Sequence, residues 1–148
     1  MSKAFRLQPL LDLSNLRLDD ATRQLGKLIA GEQEASQRLA LLIEYRAEYQ
    51  ARFLDAASHG LAPETWRNYQ HFLVRIDQAI EQARAMVAMS KQRTAAGQKH
   101  WLDQRGKVKA FDTLAQRHRS RVHYAENRQE QKQSDEHAAH RHGKGDDE

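Results

Sequence analysis

A seven-residue apolar period constrains this chain more than any other feature of its sequence. With Leu11 at heptad position a, the N-terminal a positions are Leu11, Leu18, Leu25, Glu32, Leu39, Arg46 and Phe53. The d positions are Ser14, Ala21, Leu28, Ala35, Leu42, Tyr49 and Ala56. Eleven of these fourteen are apolar over seven heptads, the mark of a helix that buries one stripe against another helix. A second frame starts at Trp66. Its a positions are Trp66, Leu73, Ile80, Val87, Thr94, Trp101, Val108, Ala115 and Val122, and its d positions are Tyr69, Ile76, Ala83, Ser90, Gly97, Gln104, Phe111, His118 and Ala125. This seam thins around Thr94 and Gly97 and strengthens again at Trp101.

The two frames are separated by "DAASHGLAPETW", residues 55–66, where Gly60 and Pro63 stand close together. Glycine takes the left-handed conformation that ends a helix, and proline presets the first turn of the next. A connection this short makes long amphipathic helices antiparallel neighbours. The expected fold is therefore all-α: a long two-helix antiparallel coiled-coil hairpin, with helix 1 over about 5–58, a turn over about 59–62 and helix 2 over about 63–136. Folding there pairs residues whose numbers sum to about 122. Phe53 then meets Tyr69, Leu42 meets Ile80 and Leu11 meets Phe111, while small Ala21 faces large Trp101 and polar Glu32 faces Ser90. Large against small and polar against polar is what close packing and hydrogen-bond satisfaction require. The weakest layers are Leu28–Thr94 and Leu25–Gly97; an alanine at Gly97 is expected to stabilise the hairpin unless the space serves close approach of the helices. At 1.5 Å per residue, helix 1 is expected to run roughly 80 Å. Helix 2 has no partner beyond about residue 117, which leaves a C-terminal helical overhang, and residues 137–148 read as a disordered His-rich and acidic tail.

Composition excludes several classes of function. The chain has no cysteine, which suits a reducing cytoplasm and removes disulfides and thiolate metal sites. No apolar run approaches the roughly 20 residues that cross a bilayer, and the N-terminus lacks the apolar core of a secretion signal. A soluble cytoplasmic protein is expected. There is no Gly-rich phosphate loop and no strand to present a nucleophile on a strained turn. The acid pairs Asp19–Asp20 and Asp146–Asp147 have nothing around them to shift a pKa. Three histidines, His137, His140 and His142, stand in a polar tail and read as solvated. Neither an enzyme nor a cofactor or metal site is expected.

Two surface features remain. Residues 91–121 carry nine basic groups against Asp103 and Asp112, so the positive excess of a chain with net charge +4 falls on the second helix, near the open end of the hairpin. This stretch is either a solvated helix face or a docking surface for an acidic partner, protein or nucleic acid. Nearer the turn, Tyr45, Phe72 and Ala79 occupy g positions, which in a two-stranded coil are normally polar. They either widen the seam or form a protein-binding surface.

With the pattern laid out, the chain resembles the FliJ family of flagellar type III export proteins nearly end to end. The resemblance is carried by "FRLQPLLDLSNLRLDDATRQLG", "LLIEYRAEY", "GLAPETWRNYQHFLVRIDQAIEQ" and "AENRQEQKQSDEHA". It implies a hairpin similar to the central stalk of rotary ATPases, which helps the hexameric export ATPase assemble, contacts the cytoplasmic domain of the export gate and escorts export chaperones. It also implies a cytoplasmic protein peripherally associated with the inner membrane. The family's gate-binding residues map onto Leu42, Tyr45, Tyr49, Phe72, Ile76 and Ala79; where family members can carry His, this sequence has Ala83. Arg105, Lys107, Lys109 and Arg117 in the basic stretch are the ATPase-binding candidates. A nucleic-acid-binding coiled coil using residues 91–121 is the alternative, although the stretch lacks the interleaved aromatics of a base-stacking surface. A stalk of the related virulence secretion systems differs only in its machine.

Overall fold

A computed structural model describes residues 4–145 as two α-helices, α1 (Gln8–Ser58, 51 residues) and α2 (Pro63–Gly145, 83 residues), with no strand among the described residues. The helices run antiparallel and pack against each other along the heptad seam. Every a and d position of α1 from Leu11 to Ala56 is buried or half-buried, and nearly every other α1 residue is exposed. On α2 the same holds from Tyr69 to Val122. This is the hairpin that the period predicts.

Local sequence explains both ends of the connection. The last turn of α1 closes through His59 N–H to the Ala56 carbonyl and Gly60 N–H to the Ala57 carbonyl, each at 3.2 Å. The Ser58 hydroxyl and a His59 ring nitrogen both lie at the Asp55 carbonyl, 2.7 and 2.9 Å away. Gly60 has φ +90°, a conformation that strains any residue with a Cβ. Helix α2 then restarts at Pro63, whose missing N–H is no loss at that position, and Glu64 places a carboxylate at the positive end of the helix.

The chain divides into two compact units, residues 19–102 and the described residues 4–18 with 103–145. In the first, cross-helix contacts follow the expected register. Phe53 and Tyr69 rings are 5.3 Å apart. Trp101 donates its indole N–H to the Thr22 hydroxyl at 2.9 Å, beside the small Ala21, which is buried. The Thr94 hydroxyl lies 3.3 Å from the Leu28 carbonyl on the other helix and 3.0 Å from the Ser90 carbonyl on its own. A side chain as short as threonine reaches a facing backbone only where two helices come close. Gly97 makes that approach possible: a Cβ built there would lie 2.5 Å from Leu28 Cδ1 and 3.7 Å from Leu25 Cδ1. The layer expected to be empty is filled by Leu28, so the reservation about close approach applies and the simple expectation for an alanine at Gly97 does not.

In the second unit Leu11 and Ala115 are buried along with the polar Ser14 and Gln104, the Gln104 Oε1 atom without a hydrogen-bond partner among the described residues, and Phe5 packs on His118 with ring centres 5.7 Å apart. Three details depart from the sequence reading. Trp66, assigned to the seam, is 45% exposed; it takes the α2 seam position nearest the turn, where its indole leans on the Phe53 ring at 5.0 Å. Helix α1 starts at Gln8 instead of about 5, because Phe5 to Leu7 form a turn whose carbonyls receive the Gln8 and Leu11 N–H groups. Helix α2 continues to Gly145, past the boundary near 136; the added residues contain no proline and include Ala138, Ala139 and Arg141, which favour helix. The end of the expected tail, with Asp146–Asp147, lies outside the described residues.

Candidate partner-binding surfaces

Six of the chain's ten aromatic residues gather beside the turn. Tyr45, Tyr49 and Phe53 come from α1, one per heptad step of four, and Trp66, Tyr69 and Phe72 answer from α2 at steps of three. Their rings form a continuous ladder. Tyr49 lies 4.3 Å from Phe72 and 5.3 Å from Tyr69, and Phe53 links Tyr69 to Trp66. Tyr45 caps the ladder edge-on to Phe72 at 6.2 Å. Aromatic pairs at these distances and tilts hold one another in place, so a surface built on them is presented already ordered.

The six residues assigned to gate binding divide by depth. Tyr45 is 46% exposed, Ile76 is 5% exposed, and Leu42, Tyr49, Phe72 and Ala79 are half-buried. The ring contacts bring Tyr45, Tyr49 and Phe72 together. Ile76, with neighbouring Ile80 and Ala83, belongs to the core and supports the surface from beneath. Phe72, Ala79 and Met86 take successive g positions on α2, and Met86 is exposed. Burial pushes the Tyr49 hydroxyl above its ordinary pKa, with Tyr69 and Tyr45 adding to the effect. Next to the ladder Arg46, a cation at a seam position, pairs with Asp77 across the helices and donates to Gln50 at 3.0 Å; its pKa is raised by the hydrogen bond and charge of that carboxylate.

Arg105, Lys107, Lys109 and Arg117 are all exposed. They occupy the e, g, b and c positions in turn, so they wrap around α2 and share no single face. Trp101 and Phe111, the aromatics within the basic stretch, are half-buried in the seam. No group of three or more His, Cys, Asp or Glu gathers among the described residues to hold a metal ion, and His137, His140 and His142 stand exposed. Among the described residues no helix is long and apolar enough to cross a membrane.

Sequence reasoning missed three parts of these surfaces: the full length of the ring ladder through Phe53, Trp66 and Tyr69, the Arg46–Asp77 bridge, and the exposed leucines at the start of α1. The signal for the last was present, since Leu10, Leu13 and Leu16 fall outside the a and d positions.

Fold and surfaces together define a coiled-coil hairpin whose distinctive groups lie on the outer faces of two helices. A family model described as "Flagellar FliJ protein" matches residues 2–146. The chain is 35% identical over 138 residues to the flagellar FliJ protein of Salmonella typhi and 33% identical over 138 residues to that of Escherichia coli strain K12, covering in each case 93% of this chain and 94% of the relative. The chain belongs to the flagellar FliJ family.

Proposed function

We propose that this protein is a non-catalytic, stalk-like component of the flagellar type III export apparatus, which promotes assembly and activity of the hexameric export ATPase, couples it to the cytoplasmic domain of the export gate and escorts export chaperones. Family membership supports the coarser part, a place in the flagellar export apparatus. The observation that carries the finer part is the ring ladder: Tyr45 is left nearly half exposed and Phe72 half-buried on a preordered edge beside the turn. Aromatic anchors of this kind concentrate binding energy when a partner covers them. The basic groups Arg105, Lys107, Lys109 and Arg117 suit a contact with a ring of repeated subunits, because long Lys and Arg side chains adapt where close-fitting apolar ones do not. Nucleic-acid binding gains nothing from the same stretch, whose aromatics are turned to the seam.

Pull-down with the cytoplasmic gate domain and with the export ATPase tests the reading. The unchanged chain is expected to retain both. Phe72→Ala is expected to lose the gate domain and keep the ATPase. Failure of the unchanged chain to retain either partner contradicts the proposal.

A further inference from the structure

The unit formed by residues 4–18 and 103–145 has a two-sided character that its partner contacts do not explain. Leu10, Leu13, Leu16, Leu114 and Tyr124 are its exposed large apolar residues, with Leu16 and Tyr124 each 65% exposed. In the heptad frames Leu10, Leu13, Leu114 and Tyr124 fall on g or c, one flank of the seam, and Leu16 at f stands on the outer face beside Leu13. In an antiparallel pair the g edges of the two helices lie side by side, which sets Leu10 beside Leu114 and Arg17 beside Lys107.

Charge sorts in the same way. Arg6, Arg17, Lys107, Arg117 and Arg121 occupy g or c positions and are exposed, and Arg128, also at g, lies over the Tyr124 ring at 5.9 Å. Among the g and c positions up to Arg128, Asp103 is the sole acid. Over the same span the other acids, Asp12, Asp112 and Glu126, stand at b or e on the opposite flank, where they balance Arg105, Lys109 and Arg119, and none of this unit's exposed large apolar residues lies there among those described. An apolar strip inside a cationic border, on one flank only, is the pattern of a helix lying in a membrane interface.

We propose that this flank docks on an anionic lipid bilayer surface. Leu10, Leu13, Leu16 and Leu114 enter the headgroup region, Tyr124 sits at its level as an amphipathic ring does, and the bordering cations meet lipid phosphates, each contributing on the order of a few-fold in affinity. Lipid fits better than a protein partner for two reasons. The apolar residues are aliphatic and carry no aromatic anchor except Tyr124, and the exposed cations beside them match the charge of lipid phosphates. The inference goes beyond the export reading and does not depend on it, although Lys107 and Arg117 serve both.

The test is co-sedimentation of the full chain with vesicles of phosphatidylcholine alone and of phosphatidylcholine with phosphatidylglycerol. Binding is expected on the anionic vesicles only, weakening with salt. Leu10→Ser/Leu13→Ser/Leu16→Ser is expected to cut it about tenfold or more, with helicity by circular dichroism unchanged because these residues lie outside the seam. Lys107→Glu/Arg121→Glu is expected to weaken binding more than Lys109→Glu/Arg119→Glu, an equal charge change on the other flank. The chain has no cysteine, so an environment-sensitive dye on Leu16→Cys reports from that site alone and should shift to the blue on anionic vesicles. Absence of binding to anionic vesicles at low salt, a leucine triple variant that binds as the unchanged chain does, or equal effects of the two charge pairs overturns the proposal. Loss of ATPase stimulation in the leucine triple, with no vesicle binding by the unchanged chain, also overturns it and gives the flank to a protein.

Discussion

Replacing Gly97 by alanine separates what helix propensity favours from what packing permits. In the interior of a helix, alanine is favoured over glycine by about 1 kcal/mol. Against this, the new Cβ would stand 2.5 Å from Leu28 Cδ1, when ordinary contact begins at 3.4 Å, so the leucine must withdraw by about 0.9 Å. The atom in the way is the far end of a side chain and can turn aside, but Leu28 is half-buried at a seam position, and repacking it there costs roughly 1–3 kcal/mol. The expected result is a net loss of about 1 kcal/mol for Gly97→Ala. Removing the obstacle reverses the sign: in a Leu28→Ala background the same change should stabilise by about 1 kcal/mol, a coupling of about 2 kcal/mol between the sites. Gly31, whose added Cβ would meet nothing within 4 Å, is the control, and Gly31→Ala should stabilise by about 1 kcal/mol in either background. Urea denaturation followed by far-ultraviolet circular dichroism measures all of these. Equal stabilisation by Gly97→Ala with and without Leu28 would refute the close-approach argument.

Other expectations follow from the ring ladder and its neighbours. Phe72→Ala should weaken gate binding by roughly 1–3 kcal/mol and lower the melting temperature less than Leu73→Ala, which empties a seam position; equal melting shifts would make Phe72 a core residue. Because the folded Tyr49 pKa is raised from 10.0, the chain's stability should hold below that pH and fall as pH rises through the raised folded value, since the unfolded tyrosine ionises first. Tyr49→Phe should flatten this alkaline loss, and an unchanged difference between the two proteins across that range would remove the assignment. Asp77→Asn should destabilise modestly, because Arg46 is left at a seam position without its carboxylate, and the loss should shrink in high salt; a salt-independent loss would point to packing instead.

Much of the fold was legible because one physical rule governs it. A seam residue must be apolar every three or four positions, so Leu11 through Phe53 and Leu73 through Val122 announced themselves, and Gly60 with Pro63 fixed where the chain reverses. The sum near 122 then followed from geometry, and the Phe53–Tyr69 and Thr94–Leu28 contacts obey it. What lay beyond the period was less visible. Position alone does not show that Leu28 leans over Gly97, because that depends on a rotamer and on how closely the helices approach. Nor does it show that Arg46 at a seam position finds Asp77 at a flanking one, a pairing made by side-chain length. The aromatic flank was named from g positions and from the family resemblance, but its depth order, with Tyr45 outermost and Ile76 innermost, emerged only from the packed structure. Residues 136–145 of α2 carry no apolar period, so the sequence has nothing there to mark where a helix stops.

The central proposal is that one chain serves two partners through separate surfaces, an aromatic one at Tyr45, Tyr49 and Phe72 and a basic one at Arg105, Lys107, Lys109 and Arg117. Its most direct test is ATPase stimulation, measured without lipid, by a variant carrying Arg105→Glu, Lys107→Glu, Lys109→Glu and Arg117→Glu together. All four residues are exposed and lie outside the a and d positions, so helicity and gate binding should survive while stimulation is abolished. Stimulation by this variant equal to that of the unchanged chain would contradict the account.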